Sequence, residues 1–228
     1  MPAKRAGQTK VAVITGGGRG IGLAIARSFA ASGYSVFITG RDGKRLQHAA
    51  AELSKEEAQV IGIPCDVRDP TAVENLFREI GKRYSAIDVL INNAGVAHAL
   101  APVDQLSIET WKEVIDTNLT GTFLVTRGAL PLMHHGSTIV NNLSVAALQP
   151  FAGMSAYNAS KFGALGLTRA LREDLRKRGI RVLALLPGAT DTEIWSQFWP
   201  DAPRGKMISA ETVAQAVLYA VRKGLVEL

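Results

Sequence analysis

The sequence predicts an α/β fold, a doubly wound parallel β-sheet flanked by helices on both faces, and three observations predict it. Apolar runs of strand length alternate with helical patterns along nearly the whole chain. Those runs are largely apolar rather than alternating in polarity, as befits strands buried on both faces. The first of them leads straight into a glycine-rich turn, Thr15-Gly16-Gly17-Gly18-Arg19-Gly20-Ile21-Gly22, that opens the first helical pattern. With right-handed crossovers, such a sheet presents its ligand sites at the carboxyl ends of the strands.

In chain order the strands are expected at 10–15, 35–39, 59–65, 89–92, 138–143 and 181–186. The helices are expected at 20–32, 43–53, 70–84, 108–133, 155–178 and 210–222. Asp42 stands where the N-cap of the second helix belongs. Cys65, the sole cysteine, closes a mostly apolar run. It reads as a buried strand residue, with no intrachain disulfide possible and no Cys-based metal site expected. The fifth helix carries Phe162, Leu165, Leu167, Leu171 and Leu175, more apolar residues than one sheet-facing stripe needs. About 187–209 is a long irregular stretch holding Trp195, Phe198, Trp199, Pro200 and Pro203. It reads as a lid over a substrate or as a small peripheral helix packed on the body. Leu225 to Leu228 could open a seventh strand.

A length of 228 residues with 47% hydrophobic content suits one domain over 1–228, carrying the 187–209 stretch as an insertion. The net charge of +6 is scattered among acids, as in Arg172-Glu173-Asp174-Leu175-Arg176-Lys177-Arg178. That pattern favours a solvated helix face over a nucleic-acid partner. The N-terminus has no apolar leader core, and no apolar stretch reaches membrane-spanning length, so a soluble cytoplasmic chain with no membrane partner is expected. His48, His98, His134 and His135 fit no metal-ligand spacing and read as surface or loop residues.

Tyr157 and Lys161 are four apart on a predicted helix, hence on one face. Free tyrosine titrates near ~10, and an adjacent ammonium stabilises its anion. Lys161 is therefore expected to lower the Tyr157 pKa, and the Ser144 hydroxyl to hydrogen-bond a substrate oxygen. The glycine turn, though it lacks the strict G-x-G-x-x-G spacing, lets backbone amides approach a pyrophosphate at the positive end of a helix dipole. At the end of the second strand, where an acid would bind the ribose hydroxyls of NAD, the chain has Gly40 and then Arg41. A guanidinium suits a 2′-phosphate, so NADP(H) is expected in preference to NAD(H), with Asp42 as the competing acid. Asp66 could bond the adenine amino group, or form a loop turn with Asp69 and Pro70.

These residues together resemble the short-chain dehydrogenase/reductase family, over about 10–192. Thr15-Gly16, Gly20 and Gly22 look like its TGxxxGxG cofactor turn, Asn92-Asn93-Ala94-Gly95 like its NNAG segment, and Pro187-Gly188 with Thr192 like its nicotinamide turn. The resemblance implies a Rossmann-type fold and a catalytic tetrad of Asn118, Ser144, Tyr157 and Lys161. It implies cofactor contacts that also take in Gly18, Arg19, Ile21, Val67 and Thr190, and a homodimer or homotetramer formed through the helices at 108–133 and 155–178. Tyr157 would pass the proton, Ser144 would hold the substrate oxygen, Lys161 would hold the nicotinamide ribose, and Asn118 would help position a water. The substrate would be a small carbonyl or secondary alcohol beside Trp195, Phe198 and Trp199. One rival reading is a 3-oxoacyl-(acyl-carrier-protein) reductase with Arg127, Arg169 and Arg172 as a docking face; another is a catalytically silent NADP-binding regulator. The C-terminus is shorter than is usual in the family, which bears on the seventh strand and not on the tetrad.

Overall fold

A computed structural model describes residues 9–54, 59–197 and 199–225. Its six strands are β1 Val11–Thr15, β2 Ser35–Gly40, β3 Val60–Pro64, β4 Ile87–Asn92, β5 Met133–Asn142 and β6 Arg181–Leu185, all parallel in the order β3-β2-β1-β4-β5-β6. The order reverses between β1 and β4, and the crevice opened there is where a doubly wound sheet binds its ligand. Every residue of β1 is buried, because both of its faces are covered. On one side Ile14 and Ile38 pack against Phe29 of α1 (Gly20–Ala30) and Val217 of α7 (Ala210–Lys223). On the other, Val13, Phe37 and Leu90 meet Phe77 of α3 (Pro70–Gly81) and Val125 of α5 (Gly121–Ala129). Fully burying each such side chain stabilises the fold by roughly 1.5–3 kcal/mol.

Helix starts follow local chemistry. Asp42 caps α2 (Gly43–Leu53) by accepting from the Arg45 amide, Asp69 caps α3 from the Thr71 amide, and Ser209 caps α7 from the Thr212 amide. The helix expected at 108–133 is instead four consecutive pieces. Here α4 (Ile108–Ile115) passes through a π-helical turn, Asp116–Thr120, into α5, and a 3₁₀ turn at Leu130–Leu132 ends the run. β5 then starts at Met133, paired with Ile87, five residues earlier than its apolar run indicates, so His134 and His135 are strand residues. The long α6 (Ser155–Arg176) carries Tyr157 and Lys161. A buried polar ladder joins sheet to helices: Asn92 Nδ2 donates to Thr126 Oγ1 (2.9 Å) and Asn141 Oδ1 (2.8 Å), and Asn141 Nδ2 donates to Thr168 Oγ1 (2.9 Å).

After β6, the irregular stretch expected at 187–209 holds short 3₁₀ turns at Glu193–Gln197 and Arg204–Lys206. The ends of this stretch are tied together, since the Ile208 amide donates to Ala189 O (3.0 Å) and the Asp191 amide to Ile208 O (2.9 Å). Among the described residues no helix is long and apolar enough to cross a membrane. Phe198 and the continuation of the chain past Leu225, where a seventh strand could open, lie outside the described residues.

Candidate active site

A cavity of about 750 Å³ runs along the carboxyl ends of the strands, from the glycine turn and the end of β2 to Ser144 and Tyr157. At the glycine turn the walls are backbone. Gly16 has φ +64°, and a Cβ at Gly22 would lie 2.3 Å from Gly16 O and 2.4 Å from Asn93 Nδ2. Only glycine lets helix α1 start this close to the turn. No side chain caps the first turn of α1, so its amides face the cavity at the positive end of the helix. Thr15 is buried behind them, its hydroxyl accepting from the Asn93 and Ala94 amides at 2.9 Å each.

Three guanidiniums, Arg19, Arg41 and Arg45, line this end. Arg45 lies in the first turn of α2, four residues past Arg41, and its stem packs on Gly18. Glu193, from the segment after β6, reaches both Arg19 (2.9 Å) and Arg45 (3.2 Å), and they hold its carboxyl below the usual range. Arg41 is more than half exposed, 3.7 Å from Glu113. Asp66 is gripped by Arg68 at 2.6 Å, and that guanidinium holds its carboxyl below the usual range. Beside Val67, which also lines the cavity, Thr117 presents a buried hydroxyl with no hydrogen-bond partner among the described residues. Cys65 lines the same end, with burial pushing its thiol up to about 11.

At the other end Ser144 stands beside the Tyr157 hydroxyl; burial pushes the tyrosine pKa up, and the serine hydroxyl pulls the other way. The expected lowering by Lys161 is not what the structure shows. The Lys161 Nζ sits 5.5 Å from the centre of the ring rather than at the hydroxyl, and it donates to Asn142 O at 3.1 Å. Burial in turn brings Lys161 down to about 8. Asn118 stands behind the cavity wall. Its amide bonds both backbone groups of Val96 at 2.9 Å each, and donates to Ser160 Oγ at 3.0 Å. It thereby ties the segment after β4 to the helical turn holding Tyr157 and Lys161. The π turn supplies that position, for the added backbone unit lets an interior polar residue face sideways into the fold.

Most of the residues singled out in the sequence therefore meet in one cavity: Gly16, Gly18, Arg19, Gly20, Ile21, Arg41, Asp66, Val67, Asn93, Ala94, Gly95, Ser144, Tyr157, Lys161, Pro187, Gly188, Thr190, Thr192, Trp195 and Trp199. Thr15, Gly22 and Asn118 brace it without lining it. Sequence reasoning missed Arg45, Thr117, Glu193 and the apolar group Leu100, Val145, Phe151, Met154 and Ile194, all of which line the cavity. Arg45 could have been found as a second arginine four residues past Arg41, in the first turn of the expected helix; Glu193 carries no such local signal. Of the histidines read as surface or loop residues, His98 is in a loop, and it is buried there with its Nδ1 facing Ala99 O at 2.8 Å.

Residues 10–203 match the profile of the short chain dehydrogenase family. The chain belongs to that family. This short-chain dehydrogenase is thus an oxidoreductase by descent. It is 35% identical to the 3-oxoacyl-(acyl-carrier-protein) reductase of Aquifex aeolicus, over 93% of this chain and 90% of that one. Among solved structures, a short chain dehydrogenase of Burkholderia cenocepacia in complex with NADP superposes with a TM-score of 0.87 at 33% identity, covering 94% of this chain and 91% of the other. A 3-ketoacyl-(acyl-carrier-protein) reductase of Brucella melitensis complexed with NADH gives 0.85 at 27%, covering 93% and 90%.

Proposed function

We propose that this short-chain dehydrogenase is a cytoplasmic, NADP(H)-dependent oxidoreductase that interconverts a small carbonyl compound and its secondary alcohol, with Tyr157 as the acid/base. One observation carries the reading: a single cavity joins the glycine turn to the Ser144–Tyr157–Lys161 group. The cofactor fits that cavity. Missing Cβ atoms leave room for a pyrophosphate against the α1 amides, and the Thr117 hydroxyl awaits a polar partner at the adenosine end. Gly16, Gly18, Gly20 and Ile21 would hold the pyrophosphate, Val67 and Ala94 the adenosine, and Pro187, Gly188, Thr190 and Thr192 the nicotinamide side. When bound, the nicotinamide supplies or accepts the hydride. NADP(H) is favoured because Arg41 and Arg45 occupy the end of β2, while Asp42, the competing acid, is committed to capping α2.

The protein's own part is positioning and proton transfer. Ser144 and Tyr157 hydrogen-bond the substrate oxygen where negative charge develops. A tyrosine held above its ordinary pKa stays protonated at neutral pH and donates in the reductive direction. Lys161, buried and one turn away, supplies the charge that stabilises the tyrosinate left behind, and would hold the nicotinamide ribose. Asn118 keeps that helical turn in place and, through the Lys161 side of the cavity, would help order a water. Residues 187–209 act as a substrate-covering insertion in a single domain. Trp111, Phe123 and Phe162, large and exposed on α4, α5 and α6, support a homodimer or homotetramer, which light scattering at micromolar concentration tests directly.

The carrier-linked reductase remains the second reading, favoured by the Aquifex aeolicus relative. Its docking face is weaker than the sequence suggests, since Arg172 Nε donates to Val182 O at 2.9 Å. A panel of free ketones, secondary alcohols and a carrier-linked 3-oxoacyl thioester, followed by absorbance of the reduced nicotinamide, tests both readings. Turnover of a free ketone with NADPH supports the first. Turnover confined to the carrier thioester moves the assignment to the second, and no turnover with any of them overturns both.

A further inference from the structure

The two ends of the cavity differ in what they can bind. The charged side chains Arg19, Arg41, Asp42, Arg45, Asp66 and Glu193 gather near the glycine turn and the ends of β2 and β3. Among the described residues lining the Ser144–Tyr157 end, Lys161 is the lone charged side chain, and its ammonium already bonds Asn142 O. The large apolar walls there are Val145, Phe151, Met154, Ile194 and Trp195. They are held in place rather than loosely gathered. The Asn158 amide clamps the Phe151 backbone from both sides, at 2.8 and 3.3 Å, and Trp195 Nε1 donates to Thr190 O at 2.8 Å. At the rim, Leu100, Phe151 and Trp199 are 55%, 43% and 49% exposed, an apolar collar at the entrance. Exposed apolar groups clustered at a cavity mouth mark a surface meant to be covered by a ligand or partner.

Resting on the carbonyl–alcohol reading above, we propose that the physiological substrate is an uncharged ketone, or its alcohol, with a ring-sized hydrocarbon body and no second polar group that must enter the cavity. A carboxylate, phosphate or row of hydroxyls on the substrate would be stripped of water against Phe151, Met154 and Trp195 with nothing to replace it. The reacting oxygen alone finds donors, in Ser144 and Tyr157. Phe151 and Trp195 are the residues that set this specificity, since each offers a flat face to a ring.

The test is kcat/KM with NADPH for 1-tetralone, acetoacetate and erythrulose, which carry one carbonyl each but differ in charge and hydroxyl content. The expected result is that 1-tetralone exceeds the other two by about 100-fold, the equivalent of one buried polar group left unpaired. Phe151→Arg, at a half-exposed position that tolerates charge, should lower kcat/KM for 1-tetralone at least tenfold through KM and raise that for acetoacetate. Acetoacetate or erythrulose turned over as well as 1-tetralone by the native enzyme overturns the inference while leaving the oxidoreductase reading intact. Bound NADPH with no turnover of any carbonyl compound overturns both.

Discussion

The cavity is walled by backbone at one end and by side chains at the other. Around the glycine turn the shape depends on atoms that are absent, above all at Gly16 and Gly22, and the polar groups are the α1 amides with Arg19, Arg41 and Arg45 around them. At the Ser144 end the shape depends on bulk: Phe151, Met154, Ile194 and Trp195 come from separate segments and meet only in the folded chain. A backbone site accepts a ligand group common to many proteins, because it reads little beyond phosphate geometry. A side-chain site can be changed by single substitutions. Four substitutions sharpen or break this contrast.

The largest effect belongs to the hydroxyl at the junction of the two ends. Tyr157→Phe keeps the ring and leaves the glycine turn untouched, so turnover should fall by roughly 10²–10⁴-fold while NADPH affinity stays within a few-fold. Near-native activity in that variant would mean that the helical pair is structural. Next comes Arg41→Ala. Losing one charge-assisted contact at a half-exposed site should cost about 1.5 kcal/mol, roughly tenfold in NADPH affinity, with NADH binding nearly unchanged. Equal native affinity for the two cofactors would remove the assignment of Arg41.

Lys161 carries a stability consequence with a definite sign. Its folded pKa of about 8 lies below the ordinary value of 10.5 because of burial. Below pH 8 both folded and unfolded states are protonated, and the folded state bears the full cost of a buried ammonium. From pH 8 to 10.5 the unfolded chain keeps a proton that the native protein has released, so this group adds stability as pH rises. Lys161→Met should therefore melt a few degrees higher than the native protein at pH 7, lose that advantage by pH 10, and be inactive. Thermal denaturation at the two pH values checks the crossover, and a lower melting point at pH 7 would count against it. The smallest effect is Glu193→Gln. Arg19 and Arg45 cannot bind that carboxylate and a phosphate equally well at once, so NADPH affinity should rise two- to five-fold, measured by calorimetry at low salt. An unchanged or weaker affinity would show that the two arginines do not meet the cofactor.

The same division explains what could be read from the amino-acid order. The glycine turn, Arg41, and the Tyr157–Lys161 pair are each set by spacings of a few residues, and local geometry follows from local spacing. All six strands lie where the apolar runs place them, apart from the early start of β5. That start depends on the pairing of Met133 with Ile87, a contact across 46 residues that no local pattern announces. The π turn was equally hidden, since Val96 and Ser160, the partners towards which it turns Asn118, lie 22 and 42 residues away in the chain. Trp195 and Trp199 were visible as aromatic clusters in an irregular stretch. Phe151 and Met154 were not, because nothing in their sequence neighbourhood says that Leu100 lies across from them, 3.4 Å from where a Cβ of Gly153 would be.

The backbone closure between Thr190 and Ile208 gives the stretch after β6 a single doorway. The chain leaves the sheet and rejoins α7 through the same few hydrogen bonds, and between them Glu193 reaches Arg19 and Arg45 through exposed ion pairs. Lengthening such a loop adds only about 0.6 kcal/mol of closure entropy per doubling. The segment is in effect a removable cassette: whole substitute sequences of other lengths can be tried there without disturbing the sheet. The cavity wall formed by Ile194 and Trp195 can thus be exchanged while the glycine turn and the strand ends keep their places.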